Sequence, residues 1–342
     1  MQKDLAAEAL WARLEKDEEY ELLARMRIRH LVPVREPLVL VSQIQRSGGT
    51  LLSQLFDGHP QCHAHPHELT IGFPKSQHWP PLDLRSPHDW FDMLYEKATQ
   101  KHFRLGYAKT AEKADAADDD FFPFLFPPRL QKAIFDACIA SAPIRSRRDV
   151  LDAYFTSYFN AWLDNQNLYT GPKNLVTAFA PRLAMKESSV RGLFEHYPDG
   201  YLISIVRDPR AWFLSVRGRD GYDDVEHALG RWRQSAEATL RVAEAYPGHG
   251  LVVTYEQLAL ETEATMTRLA ELLGIELRPS LLEPTFNGRP IRANSSDAVQ
   301  RHGVLRDRTS AYRERLDAAT IARIDELAGD LYGRAERASF AS

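Results

Sequence analysis

Four short apolar runs punctuate the chain, at Leu38–Ser42, Leu183–Lys186, Tyr201–Val206 and Leu251–Thr254. Each is bounded by polar residues, glycine or proline, and each is too short for a helix, so they read as strands buried on both faces. Between them the apolar positions recur at helical spacing. The spacing predicts helices over 4–30 (Leu5, Leu10, Trp11, Leu14, Leu22, Leu23, Met26), 50–56, 150–168, 209–217, 226–245 and 261–273. Alternating strands and helices favour an α/β fold with a parallel sheet. The stretch 73–90, rich in Pro, His and Trp, reads as irregular. Phe121 to Phe126 is an aromatic cluster broken by Pro123, and Asp118-Asp119-Asp120 before it reads as a solvated loop. Residues 70–180 as a whole read as a helical and irregular insertion or lid within one domain spanning 1–342.

Composition narrows the function classes. The 342 residues carry a net charge of -4, which argues against a nucleic-acid binder driven by bulk charge. Two cysteines, Cys62 and Cys138, cannot build a disulfide framework. The longest aliphatic run is far too short to span a bilayer, and the acidic start lacks a signal-peptide core. These features lead us to expect a cytoplasmic protein with no integral membrane association. They leave its oligomeric state open.

Chemistry concentrates in two loops. After the first strand, Gln45-Arg46-Ser47-Gly48-Gly49-Thr50-Leu51 leads into a helix. Two glycines permit a tight turn, the helix start supplies N–H donors, and Arg46, Ser47 and Thr50 add a charge and two hydroxyls. This chemistry suits a phosphate or sulfate. The G-x-x-x-x-G-K-[ST] spacing of nucleotide P-loops is absent, as is its lysine. A glycine turn closing an ordinary βα unit would account for the loop equally well. The second loop follows Val206. Arg207 stands at the carboxyl end of a strand, where open α/β sheets bind ligands. Asp208 and Pro209 then form a helix start, and Ser215 lies two turns in, its side chain leaning back toward Arg207. Arg207 and Ser215 together suit a compact dianion.

The pair of loops resembles the sulfotransferase family that uses 3′-phosphoadenosine 5′-phosphosulfate (PAPS). Arg46-Ser47-Gly48-Gly49-Thr50 is similar to the family's 5′-phosphosulfate loop, and Arg207-Asp208-Pro209-Arg210 with Ser215 to its 3′-phosphate motif. Lys186 and the run Val253–Leu258 echo further segments, and the likeness covers roughly 38–68 and 183–275. The resemblance implies a three-layer, P-loop-NTPase-like parallel sheet flanked by helices, with 70–180 capping the acceptor side. It implies sulfuryl transfer from PAPS to a hydroxyl of a carbohydrate, peptidyl tyrosine or small metabolite, leaving adenosine 3′,5′-bisphosphate. Arg46, Ser47, Gly48, Gly49, Thr50, Leu51, Arg207 and Ser215 would hold the donor, with Asn294 and Ser295 in a late loop closing over it. Small-molecule members of the cytosolic type carry lysine where this chain has Arg46, so the arginine form points toward carbohydrate, tyrosylprotein or bacterial acceptors.

The acceptor must also lose a proton. In arginine-form relatives a glutamate in this location is the base, which implies Glu68, with His67 and His65 as rivals better matched to neutral pH. Lys186 is implied near the donor or acceptor, although a strand-end lysine also snorkels to water. The histidines at 59, 63, 65 and 67 lack a helical i, i+4 ligand pair, so no metal is expected. A P-loop kinase, or a nucleotide-binding protein without sulfotransfer activity, remains the alternative reading.

Overall fold

The computed structural model describes residues 18–72, 79–96, 124–293 and 302–339. The expected helix over 4–17, the stretch 73–78, Asp118 to Pro123, and Asn294 and Ser295 lie outside them. Five parallel strands form the central sheet: β1 (Leu38–Ser42), β2 (Cys62–Glu68), β3 (Leu175–Phe179), β4 (Tyr201–Val206) and β5 (Gly250–Thr254). Their spatial order is β2-β3-β1-β4-β5. In the register, Val41 stands between Phe179 and Ile203.

Strand alternation sends neighbouring residues to opposite faces, and both faces of β1 are covered. Leu38 and Leu40 join a core with Val176, Ala178 and Leu202. Val39 and Val41 join another with Leu175, Phe179, Ile203, Ile205 and Val253. The first face is covered by α1 (Glu18–Arg29), the pair α4 (Pro128–Ser141) and α5 (Arg147–Ala161), and α6 (Glu187–His196), with the short α3 (Trp90–Leu94) beside them. The second face receives α2 (Gly49–Leu55), α9 (Tyr255–Leu260) and α10 (Thr262–Leu273). Trp212 of α7 (Pro209–Val216), Trp232 of α8 (Val225–Ala245) and Tyr332 of α12 (Ala318–Ala338) build a third core against Val206 and Val252. Between α10 and α12 lies α11 (Tyr312–Arg315). The result is the expected three-layer α/β architecture. Among the described residues no helix is long and apolar enough to cross a membrane.

Three expectations need correction. Leu183–Lys186 is not a strand. Leu183–Met185 is a turn of 3₁₀ helix entered through Arg182 at φ 62°, and Lys186 leads into α6. Pro181 and a left-handed residue break any extended run there. The missing strand is Leu175–Phe179, which lies inside the stretch read as an insertion. The stretch 70–180 thus contributes a strand to the sheet, and α4 and α5 form one of the sheet's covering layers. Cys62–Glu68, where the sequence pattern predicts no strand, is an edge strand. It tolerates Pro66 because pairing with β3 is irregular between Ala64 and Glu68.

Candidate active site

A cleft of about 330 Å³ opens along the carboxyl edge of the sheet, and every strand contributes to its wall. Gln43, Arg46, Gly48, Thr50 and Leu51 follow β1. Glu68 ends β2, Arg182 follows β3, Arg207 follows β4 and Tyr255 follows β5. Open parallel sheets bind ligands at this edge because strand ends and helix starts converge there.

The glycine loop is shaped by its neighbours. Gly48 sits at φ 104°, in the region that favours glycine, and a Cβ there would lie 2.5 Å from Cδ2 of Tyr255. A Cβ on Gly49 would meet Phe179 and Gln43 at 2.5 and 2.8 Å. The Gly49 N–H donates to Oε1 of Gln43 at 2.6 Å, which ties the loop's end to its beginning. Arg46 itself has a left-handed backbone, φ 69°. Ser47 is fully buried and, with Gly49, stands behind the wall rather than in it.

The two motifs meet directly. Nε of Arg46 donates to Oγ of Ser215 at 3.0 Å, and Nη1 of Arg207 donates to the Arg46 carbonyl at 3.0 Å. Nη2 of Arg207 donates to the Arg308 carbonyl at 2.8 Å, and its guanidinium lies 4.3 Å over the Tyr255 ring. Two tryptophans brace the pair: Trp212 donates to the Gln45 carbonyl and Trp232 to the Arg207 carbonyl. Asp208 caps α7 by accepting from the Arg210 N–H, and its carboxylate is engaged by the Arg210 guanidinium. Arg207 is thereby left with no carboxylate within ion-pairing distance among the described residues.

Charge in the wall is one-sided. Arg46, Arg182, Arg207, Arg308 and Arg315 face it, against the single carboxylate of Glu68 among the described residues. Burial, then the charges of Arg219, Arg207 and Arg308, pull the Arg46 guanidinium down to about 10. Such a cluster is relieved by an anion with more than one charged group.

The structure thus brings Arg46, Gly48, Thr50, Leu51, Glu68, Arg207 and Ser215 into one wall. His67 and Lys186 are not part of that wall, and Lys186 stands at the entry to α6 rather than at a strand end. His65 is fully buried, with both ring nitrogens engaged. Among the described residues no group of three or more His, Cys, Asp or Glu is placed to hold a metal ion. Gln43, Arg182 and Arg315 were missed. Their position after β1, after β3 and at the end of α11 was the available signal, and Arg182 needed β3 to be recognised.

A family model described as "Sulfotransferase family" matches residues 37–279. The chain belongs to the sulfotransferase family. A search of curated protein sequences returned no match. Similar solved structures include the sulfotransferase domain from the curacin biosynthetic pathway, at 15% identity and TM-score 0.45, covering 85% of this chain and 96% of that one. The sulfotransferase domain of the Synechococcus PCC 7002 olefin synthase has 16% identity and TM-score 0.43, covering 87% and 96%. Retinol dehydratase in complex with androsterone and the inactive cofactor PAP has 14% identity and TM-score 0.40, covering 87% and 81%.

Proposed function

We propose that this sulfotransferase moves a sulfuryl group from PAPS to an acceptor hydroxyl. The observation that carries the reading is the bond from Arg207 to the Arg46 carbonyl, which joins two anion-type motifs 161 residues apart in one cleft. The residues present fit the donor. Among the described residues, five arginines against one carboxylate match a nucleotide bearing a 3′-phosphate and a 5′-phosphosulfate, and the wall holds no lysine of the kind a P-loop kinase uses.

Arg207 and Ser215 would hold the 3′-phosphate. Arg46, Thr50 and the backbone from Gly48 to Leu51 would hold the 5′ end. PAPS supplies a sulfuryl group whose transfer breaks one S–O bond and forms another to the acceptor oxygen. Arg46 meets the charge left on the donor's phosphate oxygen; a guanidinium stabilises that charge without giving up a proton. Glu68 takes the proton of the acceptor hydroxyl, a role that contributes roughly 10²- to 10⁴-fold in general acid–base catalysis.

The test is incubation of the protein with ³⁵S-labelled PAPS and a deproteinised cell extract. A labelled product one sulfo group heavier, formed by wild type and roughly 10²-fold or more slower by Glu68→Gln, is expected. No transfer by wild type, or equal transfer by both, refutes the reading.

A further inference from the structure

The edge strand β2 leaves its ladder just before Glu68. Cys62, His63 and Ala64 pair with Leu175, Val176 and Thr177, and pairing resumes only at Glu68 opposite Phe179. Between those points β2 takes four steps while β3 takes two, so His65, Pro66 and His67 bulge out of register. The N–H of Leu69 then donates to the Phe179 carbonyl at 2.7 Å, closing the bulge. Bulges of this kind re-aim the next side chain, and here the re-aimed side chain is Glu68, in the cleft wall.

Glu96 holds the bulge from outside it. Oε2 of Glu96 lies 3.2 Å from Nε2 of His65, and Oε1 accepts from the Thr70 N–H at 2.9 Å and the Thr70 hydroxyl at 3.3 Å. One carboxylate therefore grips residues on both sides of Glu68. Nδ1 of His65 donates to the His67 carbonyl at 2.9 Å, so the ring also fastens the bulge to itself. From the cap, Tyr154 donates to Oε2 of Glu96 at 3.0 Å, and Tyr158 stacks on the His65 ring at 4.6 Å. The His65 and Glu96 side chains are both fully buried, outside the cleft, and the reaction described above uses neither. Burying polar groups is an expensive way to gain stability, whereas a satisfied polar network fixes one geometry.

We propose that Glu96 is a positioning residue that, through His65 and Thr70, holds Glu68 in its place in the cleft. The proposal rests on Glu68 being the base. Displacing a reacting group by about 1 Å can cost on the order of 10² in rate. Because Glu96 lies outside the cleft wall, its removal is expected to lower turnover without touching the donor site.

The experiment measures initial rates with ³⁵S-labelled PAPS and a fixed deproteinised extract as acceptor source, with calorimetric titration of adenosine 3′,5′-bisphosphate alongside. Glu96→Gln keeps the shape and the acceptor for Thr70 and removes the charge facing His65. We expect kcat to fall roughly 10- to 100-fold, with KM for PAPS and bisphosphate affinity within about twofold of wild type. The double variant Glu68→Gln/Glu96→Gln should be no slower than Glu68→Gln alone, since a residue acting only through Glu68 has nothing further to lose. His65→Gln, which keeps one donor toward Glu96 and loses the bond to His67, should show the same pattern and serves if Glu96→Gln folds poorly. Normal kcat in a folded Glu96→Gln or His65→Gln variant, weakened bisphosphate binding, or further loss in the double variant overturns the proposal. Those outcomes are separate from near-normal turnover in Glu68→Gln, or none in wild type, which would instead refute the base assignment or the reaction.

Discussion

Replacing Gly48 by alanine probes the loop and the arginine site together. The backbone at this position has φ 104° and ψ 5°, where an L side chain costs on the order of 1–3 kcal/mol. The added methyl would sit 2.5 Å from Cδ2 and 3.1 Å from Cε2 of Tyr255. A buried ring must then move, at a cost of about 1–3 kcal/mol for an overfilled site. The two effects sum to about 2–6 kcal/mol, since strain and overpacking act on different atoms. Tyr255 is also the ring under Arg207, at 4.3 Å. Its displacement shifts a guanidinium that would otherwise make charge-assisted bonds to a phosphate. Losing one such bond, worth about 1.5–3 kcal/mol, weakens binding roughly 10- to 150-fold. Urea denaturation of Gly48→Ala should give a stability loss of at least about 2 kcal/mol, and calorimetry should give an adenosine 3′,5′-bisphosphate affinity lower by an order of magnitude or more. A variant within about 0.5 kcal/mol of wild type, with unchanged affinity, would refute the close fit of Tyr255 to the loop.

Two further outcomes are expected. Arg46→Ala should lower kcat by about 10²- to 10³-fold, as for other lost oxyanion donors, and lower bisphosphate affinity much less. Equal losses in kcat and affinity, measured by steady-state rates and calorimetry, would show that Arg46 only binds. Glu256 packs beside Asp208 and Tyr332, where burial raises its carboxyl to about 7 against hydrogen bonds from Tyr332 and the Asp208 N–H. The folded state therefore holds a proton that the unfolded chain has lost above its ordinary 4.5. Stability from this group is full below that value, falls as pH rises toward 7 and is gone above it. Between pH 5 and 8 the unfolding free energy of wild type should fall by about 2–3 kcal/mol more than that of Glu256→Gln. Parallel pH profiles for the two would contradict the raised carboxyl.

The parts of the fold legible in the sequence are those whose signal is local. Leu38–Val41, Tyr201–Val206 and Leu251–Thr254 are strands because short apolar, β-branched runs buried on both faces look alike wherever they occur. Asp208-Pro209 announces its helix start for the same reason. The edge strand β2 escaped because its inward residues include His63 and His65, which are buried only because partners far along the chain receive them. His63 lies 4.9 Å from the Phe159 ring and His65 faces Glu96. With β2 unseen, β3 had no neighbour to suggest it, and Leu183–Met185 took its place although Pro181 and Arg182 forbid an extended path. In the site, the charged residues of both motifs were legible as types. Which of them face the cleft was not, because Ser47 and Gly49 turn inward through Gln43 and Phe179, and Glu68 reaches the wall through a bulge set by Glu96.

The central claim is that the Arg46 loop and the Arg207 motif grip two ends of one nucleotide. Calorimetric titration of wild type with adenosine 3′,5′-bisphosphate, adenosine 5′-monophosphate, adenosine 3′-monophosphate and magnesium ATP tests it directly. Each missing phosphate should cost about 10-fold or more, and Arg207→Ala should erase the advantage of the 3′-phosphate alone. Bisphosphate binding no tighter than either monophosphate, or weaker than magnesium ATP, would contradict it.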